Sequence, residues 1–279
     1  MIFKYLPITD GTLSNISARN MPLRHYADFN DPFEFWSRIC TGIPDRIAER
    51  DRYLKAIETW GGTEEDKVEV PEFFDSLTDL QPGLLSLYDR ARLGCFGSAA
   101  DNMLMWSHYA DGLRGICLGY DEALITSAAG GFMLDVRYAE RPPVVDEFVY
   151  AVAVDQVDYH QMAIEEESRA GKLDYISAYQ DSEQQARNVL LEIWQSAFAT
   201  KPLCWSYEKE RRLLVNSGSG AERTTILEYS PEAIQFVAIG ERADANAKSA
   251  LLSCLQRAGV QCDPVVASRS TDDYRVALD

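Results

Sequence analysis

Residues 183–216 read EQQARNVLLEIWQSAFATKPLCWSYEKERRLLVN, and this stretch contains the strongest signal for the fold. In its first half, apolar side chains recur every three or four positions, which predicts an amphipathic helix over 183–199. The residues of this apolar stripe are Ala186, Val189, Leu190, Ile193, Trp194, Ala197 and Phe198. The helical period then ends, and an apolar run predicts a strand over 211–216. A helix that leads so directly into a strand indicates a fold that mixes both.

The regions on either side extend this pattern without a strict alternation of strands and helices. Further strands are predicted over residues 2–6, 93–97, 115–120, 136–139, 225–229, 235–240 and 274–278. Further helices are predicted over residues 9–19, 44–60, 71–90, 104–110 and 245–258. The sequence therefore predicts an α+β fold with a mixed, largely antiparallel sheet and flanking helices. We expect one domain over 1–279, with a helix and strand in 241–279 closing the sheet, because no linker or repeat divides the chain.

Composition excludes several classes of protein. A formal net charge of −17 disfavours generic nucleic-acid binding, because binding to the phosphate backbone requires cations. The start, MIFKYLPITDG, lacks the pattern of a signal peptide, and no run approaches the ~18 apolar residues of a membrane helix. We therefore expect a cytoplasmic protein with no membrane partner.

The cysteines and histidines do not form a metal-binding or disulfide pattern. Six cysteines lie far apart, without a CxxC pair or a histidine at ligand spacing. Lone cysteines of this kind usually pack in the core. No resident metal and no disulfide framework is expected.

Three segments combine aromatic residues with polar residues that could carry chemistry. They are FNDPFE at 29–34, NMLMWSHYADGLRGICLGY at 102–120 and KPLCWSYEKERRLL at 201–214. Together with the Lys4-Tyr5 pair on the first strand, FNDPFE, MWSHYA and a lysine followed by WxxExER resemble the bacterial family catalogued as domain of unknown function 2971. The resemblance extends over about residues 1–240. That family brings no established activity.

Glu208 and Glu210 are the strongest catalytic candidates. If the segment is a strand, ExE spacing places both carboxylates on one face, where repulsion would raise one pKa and leave the other group ionised. Trp205 and Arg211 flank the pair in a segment that enters the core. The competing interpretation is a solvated charged turn with local ion pairs.

The other two segments also allow a structural interpretation. In one interpretation, Trp106 and Tyr109 line a pocket. In the other, both aromatic residues pack in the core and His108 is an ordinary polar residue. Asn102, with Asp101 before it, is expected to cap the following helix. Asn30 and Asp31 precede a proline and predict an Asx-type turn. Their side chains either face a site or bond their own backbone, and the sequence leaves both possibilities open.

A second resemblance suggests a mechanism. The layout of a polar residue on the first strand, an early helix, an Asn-Asp loop and a late glutamate opening a strand resembles the ADP-ribosyltransferase group, especially its DNA-modifying toxin branch. This resemblance implies a split sheet and NAD as the substrate. It implies NAD contact by Lys4 or Tyr5, a nicotinamide pocket lined by Tyr109 or His108, and a catalytic glutamate at Glu210 in preference to Glu208. A lysine at position 4, instead of histidine or arginine, is a departure from that group.

The residue patterns and the resemblance to the ADP-ribosyltransferase group together give the full set of candidate residues. The catalytic candidates are Glu210, Glu208, Tyr109 and His108, and the candidates for binding NAD are Lys4, Tyr5, Asn30, Asp31, Trp106, Trp205 and Arg211. The resemblance also implies a small-molecule nucleotide as partner, a protein or nucleic-acid acceptor, a role as a toxin or antiphage effector, and an operon-encoded partner protein.

Two other classes of function remain open at this point. A metal-dependent nuclease or phosphodiesterase could use Asp31, Glu34, Glu208, Lys209 and Glu210, since carboxylates hold hard cations. A non-catalytic binding or sensor protein would use the same motifs to build its fold.

Overall fold

The computed structural model describes residues 1–63, 69–77, 83–218 and 222–279. The chain folds as two compact units. Unit 1 consists of Met1–Glu34, Asp89–Glu140 and Lys201–Asp279, and unit 2 consists of Phe35–Tyr88 and Arg141–Thr200. The expectation of a single domain stays a prediction, because two compact units can belong to one domain or to two.

The strands are short, as in most α+β proteins. They are β1 (Ile2–Leu6), β2 (Asn20–Arg24), β3 (Arg38–Cys40), β4 (Ala91–Gly97), β5 (Ile116–Tyr120), β6 (Phe132–Asp135), β7 (Arg137–Ala139), β8 (Val144–Asp146), β9 (Thr200–Pro202), β10 (Glu210–Asn216), β11 (Thr224–Glu228), β12 (Ile234–Gly240), β13 (Val265–Arg269) and β14 (Val276–Leu278).

The α-helices range from seven to 24 residues in length. They are α1 (Asp10–Ala18), α2 (Arg50–Trp60), α3 (Glu69–Ser76), α4 (Leu84–Arg90), α5 (Met103–Tyr109), α6 (Glu122–Ala129), α7 (Glu147–Ala170), α8 (Ile176–Phe198) and α9 (Ala245–Ala258). Short 3₁₀ helices lie at Tyr26–Asp28, Leu173–Tyr175, Leu203–Glu208 and Pro231–Ala233.

Unit 1 is built around a large sheet. Its strand order is β11-β2-β4-β1-β5-β12-β13-β14, and β10 pairs with both β4 and β6. Among the described strands of this sheet, β12 and β13 run parallel, and the other pairs are antiparallel. The predicted fold class, α+β with a largely antiparallel sheet, is confirmed.

The sheet opens beside β4. One edge of β4 is covered by β10 along its whole length, from Ala91 to Gly97. At the other edge, the described pairing joins β1 to β4 at Gly97 and β2 to β4 at Leu93. Because a strand edge accepts one neighbour at a time, β1 and β2 must diverge between these two points. The backbone of Cys95 and Phe96 therefore borders a gap in the sheet.

Apolar side chains cover the two faces of this sheet. One buried cluster packs α1 and α9 against the sheet through residues such as Ile16, Leu118 and Leu251. A second cluster around Trp106 packs α5 onto β1 and β5. Gly115 must be a glycine, because a Cβ there would lie 2.3 Å from the carbonyl oxygen of Leu6.

Unit 2 is mainly helical. Helices α7 and α8 pack along each other, and the core includes Phe148, Val152 and Leu190. Strands β3 and β8 form a parallel pair in this unit, and Arg52 on α2 binds the Asp146 carboxylate at 2.6 Å.

The predicted elements match the structure unevenly. Strand β1 and helix α9 have the predicted bounds, and helix α1 is capped at Thr9 by its own side chain. The helix predicted over 44–60 begins at Arg50. The single helix predicted over 71–90 is wrong, because α3 ends at Ser76 and α4 begins at Leu84. Part of that prediction, 78–82, lies outside the described residues.

Candidate functional site

A cavity of about 490 Å³ lies in unit 1 where β1 and β2 diverge. Its walls come from β1, the start of α1, β2, β4, α5 and the segment 201–210. A volume in the range of about 300–1,000 Å³ is typical of small-molecule sites. The sequence candidates Lys4, Tyr5, Asn30, Tyr109, Glu208 and Glu210 all line this cavity.

One lysine holds the two glutamates together. The Nζ atom of Lys201 lies 2.7 Å from Oε2 of Glu208 and 2.8 Å from Oε2 of Glu210. All three side chains are at least nine-tenths buried. Isolated buried carboxylates would be costly, so the shared ammonium group is what allows two of them to lie side by side.

The network continues behind Glu210. Arg212 is fully buried, and its Nε atom donates to Oε1 of Glu210 at 3.0 Å. Its other guanidinium nitrogens donate to the Glu34 carboxylate, at 2.6 Å for the shorter bond. This bidentate geometry is the strong form of an arginine–carboxylate pair. Five buried charged groups, Glu34, Lys201, Glu208, Glu210 and Arg212, thus form one continuous cluster, named here the charge cluster.

The local backbone that produces this geometry differs from the prediction. Glu208 was expected on a strand beside Glu210, but it ends the 3₁₀ helix Leu203–Glu208. Lys209 then adopts the left-handed conformation with φ of 44°, and β10 begins at Glu210. The prediction that ExE spacing places both carboxylates on one strand face is therefore wrong. The turn at Lys209 and the shared Lys201 bring them together instead.

The charges of the cluster shift its pKa values. Burial alone would raise the pKa of Glu210, but Arg212 and Lys201 outweigh it and lower the pKa to about 2. Burial raises the pKa of Glu34, and Arg212 offsets this rise only in part. Burial alone would lower the pKa of Lys201, but Glu210 and the other acidic neighbours raise it. Glu210 and Lys201 are therefore charged at neutral pH.

Tyr109 connects the cluster to the cavity. Its hydroxyl donates to Oε1 of Glu208 at 2.5 Å. Burial raises the pKa of this phenol, and the Glu208 bond raises it further, while the Asn30 side chain acts in the opposite direction. Tyr109 is therefore a protonated hydrogen-bond donor at the cavity wall.

The remaining aromatic candidates from α5 and β1 are mainly structural. The Tyr5 hydroxyl donates to the backbone oxygen of Ala99 at 2.7 Å, although its ring lines the cavity. Trp106 is 1% exposed, and its indole nitrogen donates to Ala100. His108 is exposed outside the cavity wall. Asn102 caps α5 by accepting from two backbone N–H groups, as predicted.

Three further candidates lie in different environments. The Trp205 ring lies 5.5 Å from Nζ of Lys201, which is within cation–π distance. Arg211 points to the other face of β10, where it binds Glu122 and Asp135. Asp31 is buried, and its Oδ1 atom accepts from the N–H of Phe33, which confirms the predicted Asx turn.

Lys4 borders the gap in the sheet. Its Nζ atom donates to the carbonyl oxygen of Cys95 at 3.0 Å and lies 5.0 Å from the centre of the Phe96 ring. Burial lowers the pKa of Lys4. The first-strand candidate therefore does reach the same cavity as the glutamates.

Sequence reasoning missed the residues that organise this site. Lys201 and Arg212 were not among the candidates, and Glu34 was considered as a metal ligand or a residue of the Asn-Asp loop but not as a partner of an arginine. The sequence did contain a signal for this pair. Glu210 and Arg212 lie two residues apart, and therefore on one face of a strand, and the residues that follow them, Leu213 and Leu214, are buried. Charged residues two apart on a buried strand face must find partners.

The described residues meet neither the requirements of a metal site nor those of a membrane-spanning helix. Across residues 1–63, 69–77, 83–218 and 222–279, no group of three or more acidic, histidine or cysteine side chains has a geometry that could hold a metal ion. None of the helices in these ranges has the length and apolarity to cross a membrane.

Comparison with known proteins supports the first resemblance. Residues 105–213 match the profile of the family described as Protein of unknown function (DUF2971). The match contains MWSHYA and WSYEKER and is narrower than the range of about 1–240 that the motifs suggested. Among curated proteins and solved structures, none matches this chain. The family resemblance is confirmed, and it carries no activity with it.

Proposed function

We propose that this protein is an NAD-consuming enzyme of the ADP-ribosyltransferase type, with the cavity of unit 1 as its substrate site. One observation carries the proposal. A buried glutamate, Glu208, lines a cavity beside the first strand, is bonded by the Tyr109 phenol and is held by Lys201. A fixed carboxylate of this kind can stabilise the positive charge that develops when a glycosidic bond breaks.

Hydrogen-bonding capacity favours Glu208 over Glu210 as the group that contacts substrate. A carboxylate has about four acceptor positions. Those of Glu210 are occupied by Lys201, by two guanidinium nitrogens of Arg212 and by the Cys95 thiol. Glu208 accepts from Tyr109 and Lys201 and has capacity left. The sequence favoured Glu210, and the bonding pattern reverses this preference.

The proposed reaction breaks the bond between C1′ of the ribose and the nicotinamide nitrogen. The bonding electrons leave with nicotinamide, and an oxocarbenium-like ribose remains. A nucleophile then forms a new bond to C1′ and loses its proton, and this nucleophile is an acceptor group or water. Glu208 would accept a hydrogen bond from a ribose hydroxyl, and such a bond strengthens as positive charge develops on the ring.

The neighbours of Glu208 have supporting roles in this scheme. Tyr109 and Lys201 fix the orientation of the carboxylate, so that it need not reorganise during the reaction. Glu210 and Arg212 keep Lys201 in place from behind. The predicted toxin or antiphage role and the acceptor stay predictions, supported by the resemblance alone.

The test is NAD turnover by purified wild-type protein and by Glu208→Gln, with nicotinamide release and transfer of labelled ADP-ribose followed in cell extract. We expect the variant to lose activity by about 10²–10³-fold, as when one group that stabilises the transition state is removed. Glu122→Gln is the matched control, because it removes a carboxylate from the other face of β10 and should keep activity. Thermal unfolding of each variant confirms that it is folded.

Two results would overturn the proposal. One is wild-type protein that neither consumes nor binds NAD, and the other is full activity in a folded Glu208→Gln variant. Activity that instead requires a divalent metal would support the nuclease alternative. Tyr109→Phe keeps the ring and removes the hydrogen bond to Glu208, so we expect it to lose less activity than Glu208→Gln.

A further inference from the structure

Two cations that line the cavity form no ion pair with a carboxylate in the described parts of the chain. Lys4 on β1 and Arg24 on β2 both line the cavity. Within the described parts of the chain, neither forms an ion pair with a carboxylate, and the Arg24 side chain makes no hydrogen bond there either.

The charge cluster, Lys4 and Arg24 together contain one more cation than carboxylates. The charge cluster contains three carboxylates and two cations, and the charge of Lys4 interacts favourably with Glu210. Lys4 therefore balances the cluster, and Arg24 is the additional positive charge at the cavity. Arg24 and Lys4 also repel each other, which an anion between them would relieve.

The backbone places these cations on either side of the gap in the sheet. Arg24 ends β2 at the point where it pairs with Leu93, and Lys4 reaches the carbonyl of Cys95 further along β4. An anion bound there would connect the two diverging strands. Arginine and lysine together suit phosphate, because one offers a planar fork of donors and the other a compact charge.

We infer that Arg24 and Lys4 form a subsite for the phosphate groups of a nucleotide diphosphate, an assignment that rests on the proposed function. The cavity wall also carries Glu208 and Glu210, whose negative charges repel phosphate. A substrate with a diphosphate and a ribose is therefore oriented, with the diphosphate at Arg24 and the ribose at Glu208. Arg24 selects for phosphate-bearing ligands and against nucleosides.

The test measures binding by calorimetry with inorganic pyrophosphate, ADP, ADP-ribose and adenosine as probes. We expect the phosphate-bearing probes to bind and adenosine to bind much more weakly. Arg24→Gln should weaken pyrophosphate and ADP-ribose binding by about tenfold, the typical effect of losing a hydrogen bond to a charged group. Arg137→Gln is the matched control, because this exposed arginine on β7 does not line the cavity and the net charge changes equally.

The outcomes separate this inference from the proposed function. If Arg24→Gln binds pyrophosphate and ADP-ribose as tightly as wild type, or if Arg137→Gln loses as much affinity, the subsite is wrong even where Glu208→Gln abolishes NAD turnover. If Arg24→Gln selectively loses affinity while wild type consumes no NAD, the subsite stands and the proposed reaction fails. Pyrophosphate binding without binding of ADP or ADP-ribose would overturn the assignment to a nucleotide.

Discussion

Arg211 and Arg212 are adjacent on β10 and have opposite environments. Arg211 is partly exposed and binds Glu122 and Asp135 at the surface, with side-chain exposures of 32% and 78% for the two acids. Arg212 is fully buried and binds Glu34 and Glu210, whose side chains are 2% and 3% exposed. Both arginines have two carboxylate partners, so the number of ion pairs does not distinguish them.

The difference shows how strand alternation separates a site from a surface. Successive side chains of β10 point to opposite faces, so Glu210 and Arg212 join the charge cluster and Arg211 between them points to the other face. A buried pair depends on every partner, because an unpaired charge in a low-dielectric interior is costly. An exposed pair loses little when one partner is removed, because water replaces it.

The sharpest test of this comparison is the stability of two alanine variants. Arg212→Ala should lower the free energy of unfolding by about 3–5 kcal/mol, because it leaves Glu34 and Glu210 without their counter-charge. Arg211→Ala should cost about 0–1 kcal/mol, as for other exposed ion pairs. Chemical denaturation of both variants measures the difference.

The two variants are matched in side chain and in strand, so each controls for the other. Similar losses of stability in both would contradict the contrast between buried and exposed pairs. If Arg212→Ala does not fold, Arg212→Lys keeps the charge without the bidentate geometry and should show a smaller loss of stability.

Acid unfolding tests the same contrast through Glu210. Its pKa is lowered from the ordinary value of 4.5 to about 2 in the folded protein. A lowered pKa means that the unfolded state binds a proton more readily, so Glu210 stabilises the fold above pH 4.5. This contribution, on the order of 3 kcal/mol, is lost as pH falls from about 4.5 to about 2. Stability measured across this window should fall more steeply for wild type than for Glu210→Gln.

A carboxylate on the other face of β10 provides the control for this pH experiment. Glu122→Gln removes the partner of Arg211 and should leave the acid-dependent loss close to that of wild type. Glu34 acts in the opposite direction, because burial raises its pKa, so that it binds a proton more readily in the folded than in the unfolded state. Identical acid profiles for wild type and Glu210→Gln would show that Arg212 and Lys201 do not hold Glu210 ionised.

Much of the fold could be predicted because local patterns determine it. The apolar stripe of α8 and the glycine that ends α9 depend on neighbours in sequence, so the helical period and the cap are visible. The helix α7 was not predicted, although Asp146 caps it and Gly171 ends it. Its apolar residues are concentrated in the first half, which weakens the helical period over its full length.

The site was predicted less completely because long-range pairing determines it. FNDPFE was recognised as a constrained loop, but the contact between its Glu34 and Arg212 joins positions 178 residues apart. The gap beside β4 depends on where β1 and β2 pair, which a single sequence does not encode locally. The sequence paired Glu208 with Glu210, but the strand geometry assigned to the pair was wrong because the left-handed Lys209 has no glycine or asparagine to mark it.

Lys209 gives the smallest and most specific test of how the two glutamates converge. Its φ of 44° and ψ of 50° are unfavourable for a residue with a side chain, and the side chain itself is exposed. Lys209→Gly should therefore raise the free energy of unfolding by about 0.5–1 kcal/mol, after the entropy cost of glycine is included. Lys209→Ala is the control, because it removes the same charge and keeps the Cβ atom, so it should be close to wild type. If glycine stabilises no more than alanine does, Glu208 and Glu210 do not depend on a left-handed residue between them, and Lys201 alone must bring the carboxylates together.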